Sequence, residues 1–465
     1  VLRPWLLVLL VVVGLPACGP ASSARTAELV QALERADDVL LRTRPELVAG
    51  KYARMATGAF EFYRGNLPVF RHDWEAGRTS RTGFGEALPV PGLGDPHPEN
   101  FGLLVGGDGV FALEPNDFDS ADRVPYLFDL RRLLAGLGLG VRLMAPTAEP
   151  EVVAVETARS YATSLVALAG GLAPARVVDA GRSAILQDLF RRGLRDQLAR
   201  SELDALTTVT DGVRAFRRGG LDPAEPTSVL AEVPAFVRAA VPAALERLGS
   251  SPQWAVLDVV REFGSGVASW PRVRLLVLVR GPTDAPGDDE VLELKELAES
   301  GVAGWYPPRP VATDTPARVE AALRRAWAVP DADPRWYTTT LLGFPLQVRT
   351  ESEAHKNQRL SRWTGARASQ AELVLLGQAL GTLLARVHAR ADQATLAAVA
   401  AQVGRDVDAF AAEQGAFAVT QAQQVLDDHA LFQAALSELG PTLGVRVDPT
   451  ERATSTIQSF LGSAQ

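Results

Sequence analysis

Apolar and polar positions alternate along this chain with two periods, and the change of period marks where it turns from helix to strand. Leu29, Leu33, Ala36 and Leu40 recur at helical spacing, and Asp129 precedes a longer helical run at Leu130, Leu133, Leu134 and Leu137. Further helical periodicity covers 151–169, 183–199 and 235–248, broken by Gly-Gly and proline-rich joints. Extended patterns interrupt in two places. Leu103–Val105 and Val110–Leu113 flank Gly106-Gly107-Asp108-Gly109, which predicts a β-hairpin. After Trp254, a strand at Val259–Glu262 leads through Gly264-Ser265-Gly266 to the alternating stretches Arg272–Arg280 and Val291–Lys295. A helix over 316–327 and two short strands within 338–349 follow. Leu373, Leu376, Leu380, Leu383, Leu384 and Val387 then form an amphipathic helix ending at His388 and Arg390, and an Ala/Gln-rich helical tail runs from 396 to 462.

The pattern predicts an α+β chain: a mostly helical lobe over 28–253, a small β-rich lobe over 254–350, and a helical region over 351–465 packing on both. With 465 residues, 47% of them hydrophobic and 22% charged, the chain is long and apolar enough for a substantial core. A net charge of −8 argues against a nucleic-acid partner, since phosphate backbones require a basic face. Its cations are nearly all arginine, and lysine occurs only at Lys51, Lys295 and Lys356. Before residue 19, Arg3 precedes an apolar run from Leu6 to Leu15, with small residues ahead of Cys18. As a helix that run spans about 15 Å, half of a bilayer core of ~30 Å, so it reads as a signal segment rather than a stable span. Leu15-Pro16-Ala17-Cys18 resembles a bacterial lipobox and predicts cleavage before Cys18 with lipid on its sulfur; a plain signal peptide or a misplaced start is the alternative. Residues 19–27 read as a small polar linker, so the expectation is an exported, membrane-tethered protein. Cys18 is the single cysteine, which excludes an internal disulfide.

The chemistry concentrates between Gly94 and Asp129. In G-D-P-H-P-E-N-F-G, two prolines and flanking glycines predict a tight polar loop bearing Asp95 and Asn100, and the hairpin after it carries the chain to Asp117 and Asp119. A loop aspartate, an asparagine five residues on and an aspartate across a hairpin form a layout that positions a hydroxyl and holds Mg²⁺ on a nucleotide's phosphates. Lys295 is out of place in its apolar strand. Either it meets an anion, for which a phosphate would serve, or it is an edge lysine facing water. The turn at Gly264 and Gly266 either lays backbone amides over phosphates or is an ordinary hairpin turn, and Ser269 stands where a third glycine is usual. Arg64 either contacts an anion or serves a structural ion pair, His97 braces the loop, and His388 reads as a satisfied core histidine.

These segments resemble the catalytic loop of aminoglycoside- and choline-kinase-like enzymes, in which G-D-x-H-x-x-N is followed by a D-F or D-W magnesium motif and a D-L at a helix start. Together with K-Y-A-R-M, F-E-F-Y-R-G, N-D-F-D, L-E-L-K-E and L-A-R-V-H-A-R, they also resemble the domain of unknown function 2252 family over about residues 50–395. The resemblance implies Asp95 as catalytic base, Asn100 and Asp117 as magnesium ligands with Asp119 assisting, and Asp129 as anchor of the loop. It also implies Lys295 as the phosphate-steadying lysine, with Glu320 as its partner by analogy and Glu296 and Glu299 as alternatives closer in sequence. The glycine turn, Lys295 and L-A-R-V-H stand after the catalytic loop here, whereas kinase-like chains place them before it, so the resemblance implies a circularly permuted kinase-like fold. Such a fold requires Lys295 and Asp117 to share one cleft.

The expected function is phosphotransfer from ATP, with Mg²⁺, to a small-molecule hydroxyl; the alternative is a non-catalytic envelope protein that binds a small ligand on the same fold. A metal phosphoesterase would need further histidines, and His72, His97, His355, His388 and His429 are not spaced for that.

Overall fold

The computed structural model describes residues 20–106, 108–199, 201–222, 225–249, 254–298, 314–329, 335–351 and 354–446. The stretch read as a signal segment, Cys18 and the end of the C-terminal tail lie outside the described residues. Among the described residues no helix is long and apolar enough to cross a membrane.

Four helices open the described chain: α1 (Pro20–Thr43), α2 (Pro45–Ala56), α3 (Ala59–Gly65) and α4 (Leu67–Glu75). Most of the stretch read as a linker is thus the start of α1, because its small residues suit a helix as well as a coil. Arg25 is bonded there to Asp73 of α4 and to Asp428, and these bonds fix it in place. Next come β1 (Pro89–Gly92), β2 (Phe101–Val105), β3 (Phe111–Pro115) and β4 (Asp122–Pro125). The hairpin is present, with Phe101 opposite Pro115 and Val105 opposite Phe111, and β1 pairs with β4 to bring the ends of the motif-bearing stretch together. α5 (Tyr126–Met144) is buried along nearly its whole length, and α6 (Pro150–Ala169) packs against it.

α7 (Ala184–Ala199), α8 (Ser201–Leu206), β5 (Thr207–Thr210) and β6 (Val213–Phe216) lead into a seven-stranded antiparallel sheet. Its strands are β7 (Gly219–Asp222), β8 (Glu225–Glu232), β9 (Val256–Phe263), β10 (Arg274–Val279), β11 (Glu290–Glu296), β12 (Tyr337–Leu341) and β13 (Phe344–Thr350), in the order β12-β13-β11-β10-β9-β8-β7. α9 (Ala235–Ala244) lies between β8 and β9 in the chain, and α10 (Thr315–Ala326) between β11 and β12. One sheet face, with Val259, Leu275, Val277, Leu292 and Val348, packs on Val237 and Val241 of α9. The other, with Val260, Leu276, Leu278 and Val291, packs on Leu203 and Phe216. The β-rich lobe therefore begins well before the boundary expected at 254. Helical periodicity over 235–248 was a sound reading of α9, but a period reports which face is apolar and not which lobe receives it.

β14 (Lys356–Asn357) pairs with β2 and returns the chain to the helical lobe. There α11 (Gln370–His388), α12 (Gln393–Gly404) and α13 (Val407–Leu439) complete a helical core with α5 and α6. That region was expected on both lobes; its core lies in the helical one, and α10 with the Trp327 that follows it carries Val319, Leu323 and Ala326 from the β side into the same core. With 54% helix and 17% strand held in separate regions, the chain is α+β. Each lysine is in an ion pair: Lys51 with Asp37, Lys356 with Asp196, and Lys295 with the aspartates described next.

Candidate functional site

The loop between β1 and β2 closes on its own backbone. The His97 N–H donates to the Asp95 carbonyl and the Asn100 N–H to the His97 carbonyl, both at 2.9 Å. The Asn100 carboxamide nitrogen also donates to the Asp95 carbonyl at 2.9 Å. Gly94 has φ +76°, and a Cβ there would be driven into the Ser120 carbonyl, so only glycine lets the Asp95 loop lie against the loop bearing Asp117 and Asp119. From below, a Cβ on Gly136 of α5 would stand 2.9 Å from Pro98 Cδ and from the Tyr63 ring.

α5 supplies two supports on one face, three residues apart. Asp129, fully buried, accepts from the Leu93 N–H at 2.6 Å and the Gly94 N–H at 2.9 Å, the loop-anchoring role implied for it. His388 Nε2 stands 3.3 Å from the same carboxylate and its Nδ1 2.8 Å from the Tyr161 hydroxyl, which makes it the satisfied core histidine expected. Arg132 was not singled out in the sequence. Its Nε donates to Asp95 Oδ1 at 2.7 Å, its other nitrogens to Asn66 Oδ1 at 2.9 Å and to the Tyr63 carbonyl, and its guanidinium lies 3.7 Å from the Tyr63 ring centre. Burial pushes the Asp95 carboxyl above its usual range and Asp117 adds to the push, while Arg132 opposes it.

Lys295 Nζ reaches Asp119 Oδ2 at 2.7 Å and Asp117 Oδ1 at 3.5 Å, across 178 positions of sequence between Lys295 and Asp117. Burial works against the ammonium, but the two aspartates outweigh it and its pKa is raised. Burial likewise raises the Asp119 carboxyl, against the pull of Lys295. Glu320 is not the lysine's partner: it pairs with Arg247 and Arg324 and accepts from Thr338. α10 instead approaches the site through Arg318, which donates to the carbonyls of Asp119 at 2.9 Å and of Ala121.

Strand register explains what surrounds Lys295. It sits opposite Arg274 and two residues from Glu293, which is itself opposite Arg349, so period-2 alternation puts all four on one face. Glu293 is bonded to both arginines, and although burial alone would raise its carboxyl, Arg274, Arg349 and Lys295 hold it down at about 2. The turn carrying Gly264 (φ +82°) and Gly266 (φ +79°) joins β9 to β10 just ahead of Arg274. Ser269 packs against Gly266, Val267 is buried in the helical core, and Trp270 lies against Gly50 of α2, so the turn is braced from the helical side.

The donors suit magnesium. Asp119 Oδ1 is buried and accepts no hydrogen bond, Asp117 is exposed over 36% of its side chain beside it, and the Asn100 carboxamide leaves its oxygen for a cation. Two carboxylates and an amide are hard oxygen ligands of the kind Mg²⁺ takes while keeping part of its water. Among the described residues, three carboxylate or imidazole ligand atoms meet at Glu28, His72 and Asp73, but Arg25 and Arg78 already fill that group. Two small pockets lie near β3 with Trp327 and Trp336, and between Pro91 and α10; neither is lined by Asp95, Asp117 or Lys295.

His97 packs edge-on against Phe60 and is buried among Arg64, Arg132 and Arg359. Burial first and then those charges hold its pKa well below 6.5, so it folds neutral. The unfolded chain takes up a proton there below about pH 6.5, so this group's contribution to stability is full above that pH and is lost as pH falls beneath it. Thermal unfolding should therefore show the stability gap between wild type and His97→Leu moving against the wild type as pH falls from about 6.5 to 5. A gap that stays constant contradicts a neutral, buried His97.

Residues 42–435 match the model of a family described as an uncharacterized protein conserved in bacteria (DUF2252). No curated protein and no solved structure matches the chain.

Proposed function

The chain belongs to the DUF2252 family, and from that premise we propose that it is a kinase-like, circularly permuted phosphotransferase that moves a phosphoryl group from ATP to a small-molecule hydroxyl. The observation that carries this reading is the meeting of Lys295 with Asp117 and Asp119, since the permuted order requires Lys295 to come to Asp117. The end of α11 supports it too: His388 contacts Asp129, which holds the first amides of the loop, so L-A-R-V-H abuts the loop in space although it follows it in sequence.

Asp95 takes the proton of the acceptor hydroxyl as that oxygen bonds the γ-phosphorus and the bond to the β,γ-bridging oxygen breaks, releasing ADP. Arg132 aims the Asp95 carboxylate. Asn100, Asp117 and Asp119 would hold Mg²⁺, which neutralises charge on the phosphates when bound. Lys295, on the second strand after the glycine turn, steadies the phosphates from the sheet side, where Arg274 and Arg349 add positive charge. Export and tethering through Cys18 belong to the same reading and rest on the pattern of residues 1–18.

A non-catalytic ligand-binding role is the second reading, favoured by the close pairing of Lys295 with Asp119 and by the bracing of the glycine turn. Calorimetric titration with Mg·ATP separates them. Phosphotransfer expects saturable binding to the wild type and at least tenfold weaker binding to Lys295→Met. No heat in the wild type removes the enzymatic reading.

A further inference from the structure

Three guanidiniums, of Arg64, Arg132 and Arg359, press on the 95–100 loop, whose own carboxylates are Asp95 and Glu99. Asp95 takes Arg132. Glu99 is left to two partners, Arg64 of α3 and Arg359 of the segment after β14, whose Nη1 atoms stand 3.4 and 3.1 Å from the same oxygen, Oε2. The other oxygen, Oε1, is occupied by the Leu360 N–H at 3.0 Å. Glu99 is thus shared between two guanidiniums, with Glu61 and Asp95 adding a weaker pull on Arg64. The Arg64 Nε is buried without a hydrogen-bond partner, and burial lowers the Arg64 pKa, with Glu99 opposing and Arg359 adding to the fall. Arg359 is exposed over 46% of its side chain, so its fork is open to a ligand from solvent. Arg64 also acts on Asp95 through its charge, and the Glu99 that both arginines share lies on the same loop as Asp95.

Guanidinium forks match carboxylate and phosphate oxygens in geometry as well as in charge, and a buried nitrogen lacking a partner is the kind of donor such an oxygen satisfies. We propose that Arg64 and Arg359 form an anion subsite beside Asp95, and that the acceptor is a hydroxyl compound already carrying a phosphate or carboxylate group. Calling that ligand the acceptor rests on the phosphotransfer reading; the subsite does not. The acid side chain between the arginines holds the subsite together when it is empty and partly screens it, so it sets how strongly a second anion is drawn in.

Calorimetry on the full chain without nucleotide tests this, using glycerol 3-phosphate, glycerate, glycerol and choline at one ionic strength. Binding is expected for one or both of the two anions and for neither glycerol nor choline, and comparison of the two anions tells which group is taken. Arg359→Gln should weaken anion binding at least tenfold. Glu99→Gln keeps the oxygen that accepts the Leu360 N–H but removes the competing charge, so it should tighten anion binding severalfold, a gain that misfolding does not produce. The subsite is overturned if neither anion binds, if glycerol or choline binds as tightly, or if Arg359→Gln leaves the anion affinity intact. Failure of the phosphotransfer reading registers differently: no Mg·ATP binding, with anion binding retained, removes the acceptor role and keeps the subsite.

Discussion

Asp95→Asn should lower turnover by about 10²–10⁴, measured as ADP release from Mg·ATP in the presence of an accepted hydroxyl compound, while Mg·ATP affinity stays near the wild-type value. The asparagine keeps an oxygen for Arg132 Nε and keeps the backbone carbonyl that takes the Asn100 amide, so the loop retains its shape. It loses only the lone pair that receives the proton. Because burial raises the Asp95 carboxyl, the same position predicts the acid limb of the wild-type pH–rate profile: the base is empty above its pKa, and rate falls as pH drops through it. Full turnover in Asp95→Asn, with intact near-ultraviolet circular dichroism, would dismiss Asp95 as the base.

Arg132→Met is expected to do two separable things. It removes a fully buried cation and leaves Asn66 Oδ1, the Tyr63 carbonyl and Asp95 Oδ1 without a donor, a loss of about 3 kcal/mol or more in denaturant unfolding. It also takes away the charge that opposes the desolvation of Asp95, so the acid limb of the rate profile should move to higher pH. A merely structural arginine would lower stability and leave the limb where it was. Arg132→Lys keeps the charge with fewer donors and should restore most of the limb but only part of the stability.

Much of the site was legible because its residues are rare or punctuated. Prolines and glycines isolated Asp95 and Asn100 on a loop, a helix start marked Asp129, and the scarcity of lysine drew attention to Lys295. What surrounds them was not. Glu320 was assigned to Lys295 by analogy, whereas strand register turns the lysine toward Asp119 and leaves Glu320 to Arg247. Arg132 lies in a leucine-rich helix with no local mark of its role, and its spacing of three from Asp129 is the one signal that both serve one face. The linker and the lobe boundary were misread for a related reason: small residues and helical periods are compatible with several partners, and the partner lies far away in the chain.

By itself the sequence determined what is local here: the closed polar loop, the hairpin behind it, the positions where only glycine fits, and the alternation that puts Arg274, Glu293, Lys295 and Arg349 on one strand face or another. The tertiary structure alone decided which charge meets which. A side chain's own neighbours fix its direction, but its partner is chosen by packing between segments hundreds of residues apart, and burial then makes that choice costly to change.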